Sequence, residues 1–156
     1  MELTKHIANR FREVLLNGDW VVATNFKDQI LNLTWEQATT KIDTLNTIAA
    51  LTFHINYYIA GILNVFEGGK LKIRDKYSFN LAPIKSQEDW EKLLNTTLNN
   101  AEKFASFIEQ MHDNKLEEIF VDKKYGTYKR NINAIIEHSY YHLGQITLIK
   151  TMLLKQ

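Results

Sequence analysis

Glu137-His138-Ser139-Tyr140-Tyr141-His142-Leu143-Gly144-Gln145-Ile146 places two histidines four residues apart inside a long apolar-periodic run. On a helix, that spacing stacks both imidazoles on one face, one turn apart. Two stacked imidazoles are half of a metal site. The run is predicted as a helix from about Asn131 or Ile132 to Leu154. Its inner line is Ile132, Ile135, His138, His142, Gln145 or Ile146, Ile149 and Leu153, so the histidines stand where leucines would otherwise be expected.

Three more helical segments are predicted upstream. The nearest opens on Ser86-Gln87-Glu88-Asp89, a cap with acids in the first turn. It continues through Trp90, Leu94, Thr97, Ala101, Phe104, Ile108 and Met111 at steps of four and three, and ends at Asn114. Before it, a helix is expected from near Asp43 to Gly68-Gly69. Leu45, Ile48, Thr52, Ile55, Ile59, Ile62 and Phe66 form one line of it, and Leu51, His54, Tyr58, Gly61 and Val65 the next. His54 therefore lies on the apolar face. The first helix is expected over Thr4 to Asn17 through Ile7, Phe11, Val14 and Leu15, with Gly18 as a left-handed cap.

Shorter signals lie between these segments. Trp20 to Ile30 is a weak helical piece, and Thr34-x-x-Gln37 has the form of a capping box. Residues 70–85, with the only proline at Pro83, leave the helical period and read as a hairpin or an extended loop. Gly126 suggests a turn within Tyr125–Tyr128, and Trp20, Trp35 and Trp90 are expected to be packing anchors. The expected fold is all-α: a four-helix bundle, one domain over residues 1–156, with a long crossover between helices 2 and 3.

Composition bounds the function. With 156 residues and 45% apolar content, the chain can build a substantial core. A formal charge of +1 argues against a protein adapted to duplex nucleic acid and against a basic membrane-surface helix. No cysteine is present, so disulfides, thiolate ligands and a cysteine nucleophile are excluded. No signal-peptide pattern is read at Met1–His6, and no run is expected to match a membrane span, so the expected location is cytoplasmic.

Three inward histidines need partners, because a buried polar group without one costs roughly 1–3 kcal/mol. Either a shared metal or hydrogen-bonded imidazoles would supply them, and spacing alone leaves both open. Three imidazoles would leave a metal position open to water or substrate, which is the catalytic arrangement. Among neighbours, Gln145 is a candidate to orient a ligand or a water, and Tyr58, one turn after His54, a candidate to reach the pocket. Glu137 is turned about 100° away from His138, which argues against a general-base role. Gly144 suggests close helix packing or approach to the site. His6 and His112 read as structural or solvated.

The motif His138-x-x-x-His142-x-Gly144-Gln145-Ile146, with His54 in the second long helix, resembles the DinB-like superfamily. So do the Asn17–Trp20 turn, the Leu33–Ala38 segment and the Tyr125–Tyr128 turn. The resemblance covers nearly the whole chain. It implies a four-helix bundle holding one divalent metal on His54, His138 and His142, with zinc or nickel favoured over iron or manganese. It also implies a homodimer, and chemistry such as thiol S-transfer with an external low-molecular-weight thiol, or hydrolysis. A non-catalytic metal- or ligand-binding stress-response protein is the alternative. Metal binding is expected to weaken as pH falls through the free-imidazole range, roughly pH 6–7.

Overall fold

The computed structural model describes residues 2–155. Among the described residues, seven α-helices appear in chain order: α1 (Glu2–Arg12), α2 (Phe26–Ile30), α3 (Trp35–Thr39), α4 (Ile48–Phe66), α5 (Gln87–Gln110), α6 (Asp113–Glu117) and α7 (Tyr128–Leu154). Four are long, and they make the bundle. The only ladder pairing among the described residues is a single bridge between Ile119 and Thr127.

The start signals act through hydrogen bonds that satisfy orphan N–H groups. The Thr34 hydroxyl accepts from the Gln37 N–H while the Gln37 side chain accepts from the Thr34 N–H, completing the expected capping box. Ser86 caps α5 by accepting from the Asp89 N–H, and Thr127 caps α7 by accepting from the Arg130 N–H. α4 begins later than expected. Asp43 has a φ of +48°, incompatible with a helix, and Thr47 is the cap, accepting from the Ala50 N–H. At its other end Gly68 turns the chain at φ +91°, as its type allows. α5 ends at Gln110, and Asn114 belongs to the short α6 that follows.

The exit of the first helix also differs. α1 continues into a π-helical turn over Glu13–Asn17, closed by the Gly18 N–H donating to the Glu13 carbonyl. Gly18 is extended (φ −100°, ψ 163°), not left-handed. Its glycine is required by space instead, since a Cβ there would lie 2.6 Å from the Glu13 Cα.

α4 packs against α5 and α7, and α1 against α5. Phe11 of α1 and Phe104 of α5 meet with ring centroids 4.6 Å apart at the centre of one continuous core. Trp90 is fully buried and donates its Nε1–H to the Leu33 carbonyl, tying α5 to the segment before α3. Trp35 packs at the core's edge, but Trp20 is 89% exposed and anchors nothing within the chain.

α4 departs from the expectation about membrane spans. It is 19 residues long, without a charged side chain, and apolar enough to cross a membrane by length and composition. Half of it is buried inside the bundle, as for the core helix of a folded domain.

The 70–85 crossover is an extended strap with one 3-10 turn at Asp75–Tyr77, and it forms no strand. Tyr57 of α4 pins it, its hydroxyl donating to the Arg74 carbonyl and accepting from the Arg74 N–H at 3.0 and 2.9 Å. Ile73 lies so close over Gly61 that any side chain there would collide with it. The strap is thereby held across the outer face of α4, beside His54.

Candidate metal centre

His54 comes from α4, and His138 and His142 from successive turns of α7. His54 and His142 are buried, and His138 is half-buried at the mouth of the cluster. The Nε2 atoms of all three converge: His54 to His138 is 3.1 Å and His142 to His138 is 3.0 Å. As α4 advances from His54 to Tyr58, its contacts on α7 recede from His142 to His138, so the two helices run antiparallel past the site.

Hydrogen bonds on the far sides of the rings fix what the Nε2 atoms present. The Nδ1 of His54 faces the Ser78 carbonyl at 3.2 Å, and the Nδ1 of His142 faces the Gln145 Oε1 at 2.7 Å. Both partners are acceptors, so both Nδ1 atoms carry the proton and both Nε2 atoms present lone pairs. These point at His138 Nε2, which holds at most one proton and can serve only one of them. Three nitrogens with surplus lone pairs at this separation repel unless a cation sits among them.

The spacing fits a single ion. A metal–imidazole bond of about 2.0–2.1 Å places ligand nitrogens roughly 3.0 Å apart at right angles and roughly 3.4 Å apart at tetrahedral angles. The three histidines thus form a group that can hold a metal ion, all their ligand atoms lying within 4.8 Å of one another.

Electrostatics agree with neutral rings. Burial, and then the charges that His142 and His54 would carry, push His138 down to about 4. Burial also lowers His54, opposed by its bond to Ser78, and lowers His142, opposed by its bond to Gln145. Protons therefore compete for the site below the pH 6–7 window of a free imidazole. In the metal-free protein the unfolded histidines, near 6.5, bind protons that the folded ones refuse. The stabilisation contributed by the neutral cluster is present above about pH 6.5 and is lost as pH falls toward 4. Thermal melts of metal-free protein are expected to show a falling Tm across this window, and a smaller fall for His138→Ala.

The DinB family model matches residues 9–153. The chain belongs to the DinB family. No match was found among curated proteins or among solved structures.

Other residues of this DinB chain sort clearly. The Gln145 Oε1 faces the His142 Nδ1 at 2.7 Å. Tyr58 lies edge-on to His54 and His138, at 5.2 and 5.1 Å between centroids, and its hydroxyl donates to Asp75 at 2.8 Å. Burial and that bond raise the tyrosine's pKa. Glu137 is exposed and pairs loosely with Arg130 at 3.8 Å, away from the cluster. Gly144 is exposed, and a Cβ there would meet nothing within 4 Å, so it serves neither packing within the chain nor approach to the site. His6 and His112 are exposed, and His112 precedes α6 rather than completing α5.

Sequence reasoning missed the contribution of the strap. Ser78 orients His54 through its carbonyl, and Phe79 stacks on His54 with centroids 4.0 Å apart and planes 9° apart. Asp75 receives Tyr58. Apolar residues do alternate in this stretch, Leu71 with Ile73 and Tyr77 with Phe79, but that pattern does not say which side chain meets His54.

Proposed function

We propose that this DinB chain is a metal-dependent enzyme whose divalent ion, zinc or nickel, is held by His54, His138 and His142. The observation that carries this reading is the convergence of three Nε2 atoms, two of them fixed as bare lone pairs by Ser78 and Gln145. When bound, the cation acts as a Lewis acid that lowers the pKa of a thiol or water beside it. The chain's own residues do the rest. Ser78 and Gln145 hold the ring tautomers, and Phe79 and the Tyr58 ring shield the cluster from bulk water.

The partial exposure of His138, against the buried His54 and His142, supports a catalytic over a purely storage role, because it leaves the group approachable from one side. Transfer of an external low-molecular-weight thiol to an electrophile is the favoured reaction class, and the chain has no cysteine of its own to compete for that role. The test is to load purified protein with zinc or nickel and assay glutathione, bacillithiol and mycothiol against an alkylating electrophile. Turnover that disappears in His138→Ala is the expected result. Metal-loaded protein with neither transferase nor hydrolase turnover would leave only the binding role.

We also propose that the protein is a homodimer without affinity for duplex DNA, the latter consistent with its formal charge of +1. Trp20 (89% exposed), Tyr141 (66%) and Leu148 (59%), with Val21 and Val22, form the candidate interface. Val22 shares a surface cleft with Tyr140 and Gly144 of α7, joining the loop to the helix. Together they present on the order of several hundred Å² of apolar surface. That compares with about 800 Å² buried per partner in a stable interface. Light scattering is expected to give twice the chain mass for the native protein and one chain mass for Leu148→Glu. A native monomer at micromolar concentration would contradict this assembly.

A further inference from the structure

A cleft of about 390 Å³ opens between α4, α7 and the crossover strap. Its volume is within the range typical of small-molecule sites, roughly 300–1,000 Å³. Its nearer wall is Tyr58 and Ile135. Tyr58 is one turn beyond His54 on α4, and Ile135 is nearly one turn before His138 on α7. The helices run antiparallel, so both steps lead the same way. The cleft therefore begins about one helical turn, roughly 5.4 Å, from the imidazoles and runs away from them. The Tyr58 ring, edge-on to His54 and His138, stands at the junction.

The lining is two-sided in character. Ile62, Leu71, Ile73, Phe120, Ala134 and Ile135 make it largely apolar, Tyr125 and Asn131 add polar edges, and the exposed Arg74 and Asp75 bring one charge of each sign to its rim. Tyr57 holds the Arg74 backbone in place by two hydrogen bonds. Among the described residues, no carboxylate forms a salt bridge with the Arg74 guanidinium. Asp75 lines the same cleft and keeps its charge, but one carboxylate oxygen is held at Tyr58 by the tyrosine hydroxyl, so an anionic ligand end is placed on the Arg74 side.

We infer that this cleft is the substrate site of the metal centre, and that it takes an amphipathic anion: an apolar body along the cleft, an anionic end at Arg74, and a metal-seeking end reaching past Tyr58 to the histidines. The assignment to the metal centre and the metal-seeking end rest on the proposed metal site, whereas the apolar body and the anionic end do not. A neutral hydrocarbon would leave the Arg74 charge unused, whereas a carboxylate makes a charge-assisted, two-pronged contact with a guanidinium. A wholly polar anion would leave the apolar lining wet.

Calorimetric titration with octanoate, octanol and ω-mercapto-octanoate, on zinc-loaded and metal-free protein, separates the parts. Octanoate is expected to bind metal-free protein about tenfold more tightly than octanol. Arg74→Gln should erase that preference without altering zinc stoichiometry. Ala134→Phe, which fills the cleft from α7, should abolish binding of both probes and also leave zinc content unchanged. The thiol-bearing probe should gain over octanoate only when zinc is present. Equal binding of octanoate and octanol, or a carboxylate preference that survives Arg74→Gln, would overturn the assignment of the anionic end. Undiminished binding to Ala134→Phe would overturn the cleft itself. If zinc loads stoichiometrically but the thiol gives no gain, the link between cleft and metal fails while the metal site stands. If zinc does not load at all, the proposed function fails first, and the octanoate comparison still tests the cleft.

Discussion

Replacing His142 by alanine is expected to lower affinity for zinc or nickel by orders of magnitude. The ring supplies one of three converging nitrogens, and its loss leaves two donors, His54 and His138, on different helices. Gln145→Leu should cost less, about 10- to 100-fold, because it removes the acceptor that fixes the His142 tautomer rather than the donor itself. His6→Ala and His112→Ala should bind as the native protein does, both residues being exposed and outside the cluster. Competition against a chromophoric chelator at neutral pH measures all four. A His142→Ala protein with native affinity would remove this residue from the site.

The largest expected effect on stability comes from Trp90→Ala, about 3–5 kcal/mol. The indole is fully buried in α5, and its loss leaves both a cavity and a Leu33 carbonyl without its donor. For a domain of ordinary stability, about 5–15 kcal/mol, that approaches loss of the fold. Trp20→Ser, by contrast, should change stability of the monomer by less than about 0.5 kcal/mol, because the ring is 89% exposed. Urea denaturation of metal-free protein at low concentration checks both. Equal costs for the two substitutions would mean that the burial pattern is wrong.

These two tryptophans also mark how far the sequence could be read. Trp90 lies in register with Leu94, Thr97 and Ala101, and that periodicity announced its burial. Trp20 has no such neighbours. A large apolar residue in a loop carries no signal of which way it faces, and here it faces out. The long helices were legible because apolar periodicity over many turns leaves little choice of structure. Their ends were less so. A helix start near Asp43 and a left-handed cap at Gly18 are expected from the pattern, whereas a positive φ at Asp43 and the nearness of Glu13 to Gly18 decide the outcome.

The site divides in the same way. His138 and His142 could be paired from spacing because a helix fixes their relation locally, and Gln145 could be placed for the same reason. That His54 meets them depends on the antiparallel passage of α4 and α7, which its position on an apolar line only suggested. The roles of Ser78, Phe79 and Asp75 were not legible at all. They follow from where an irregular strap is pinned by Tyr57, and no local period encodes that. Gly144 shows the converse error: it belongs to the motif that carries the family resemblance, yet nothing within the chain lies over it.

One divalent ion is proposed to sit among three imidazole nitrogens. This placement is tested most directly by an anomalous-difference map from crystals of zinc-loaded protein, collected above and below the zinc edge. One strong peak per chain is expected, within bonding distance of the Nε2 atoms of His54, His138 and His142. Absence of a peak there in protein carrying stoichiometric zinc, or a peak bound instead by residues such as His6 or His112, would contradict it.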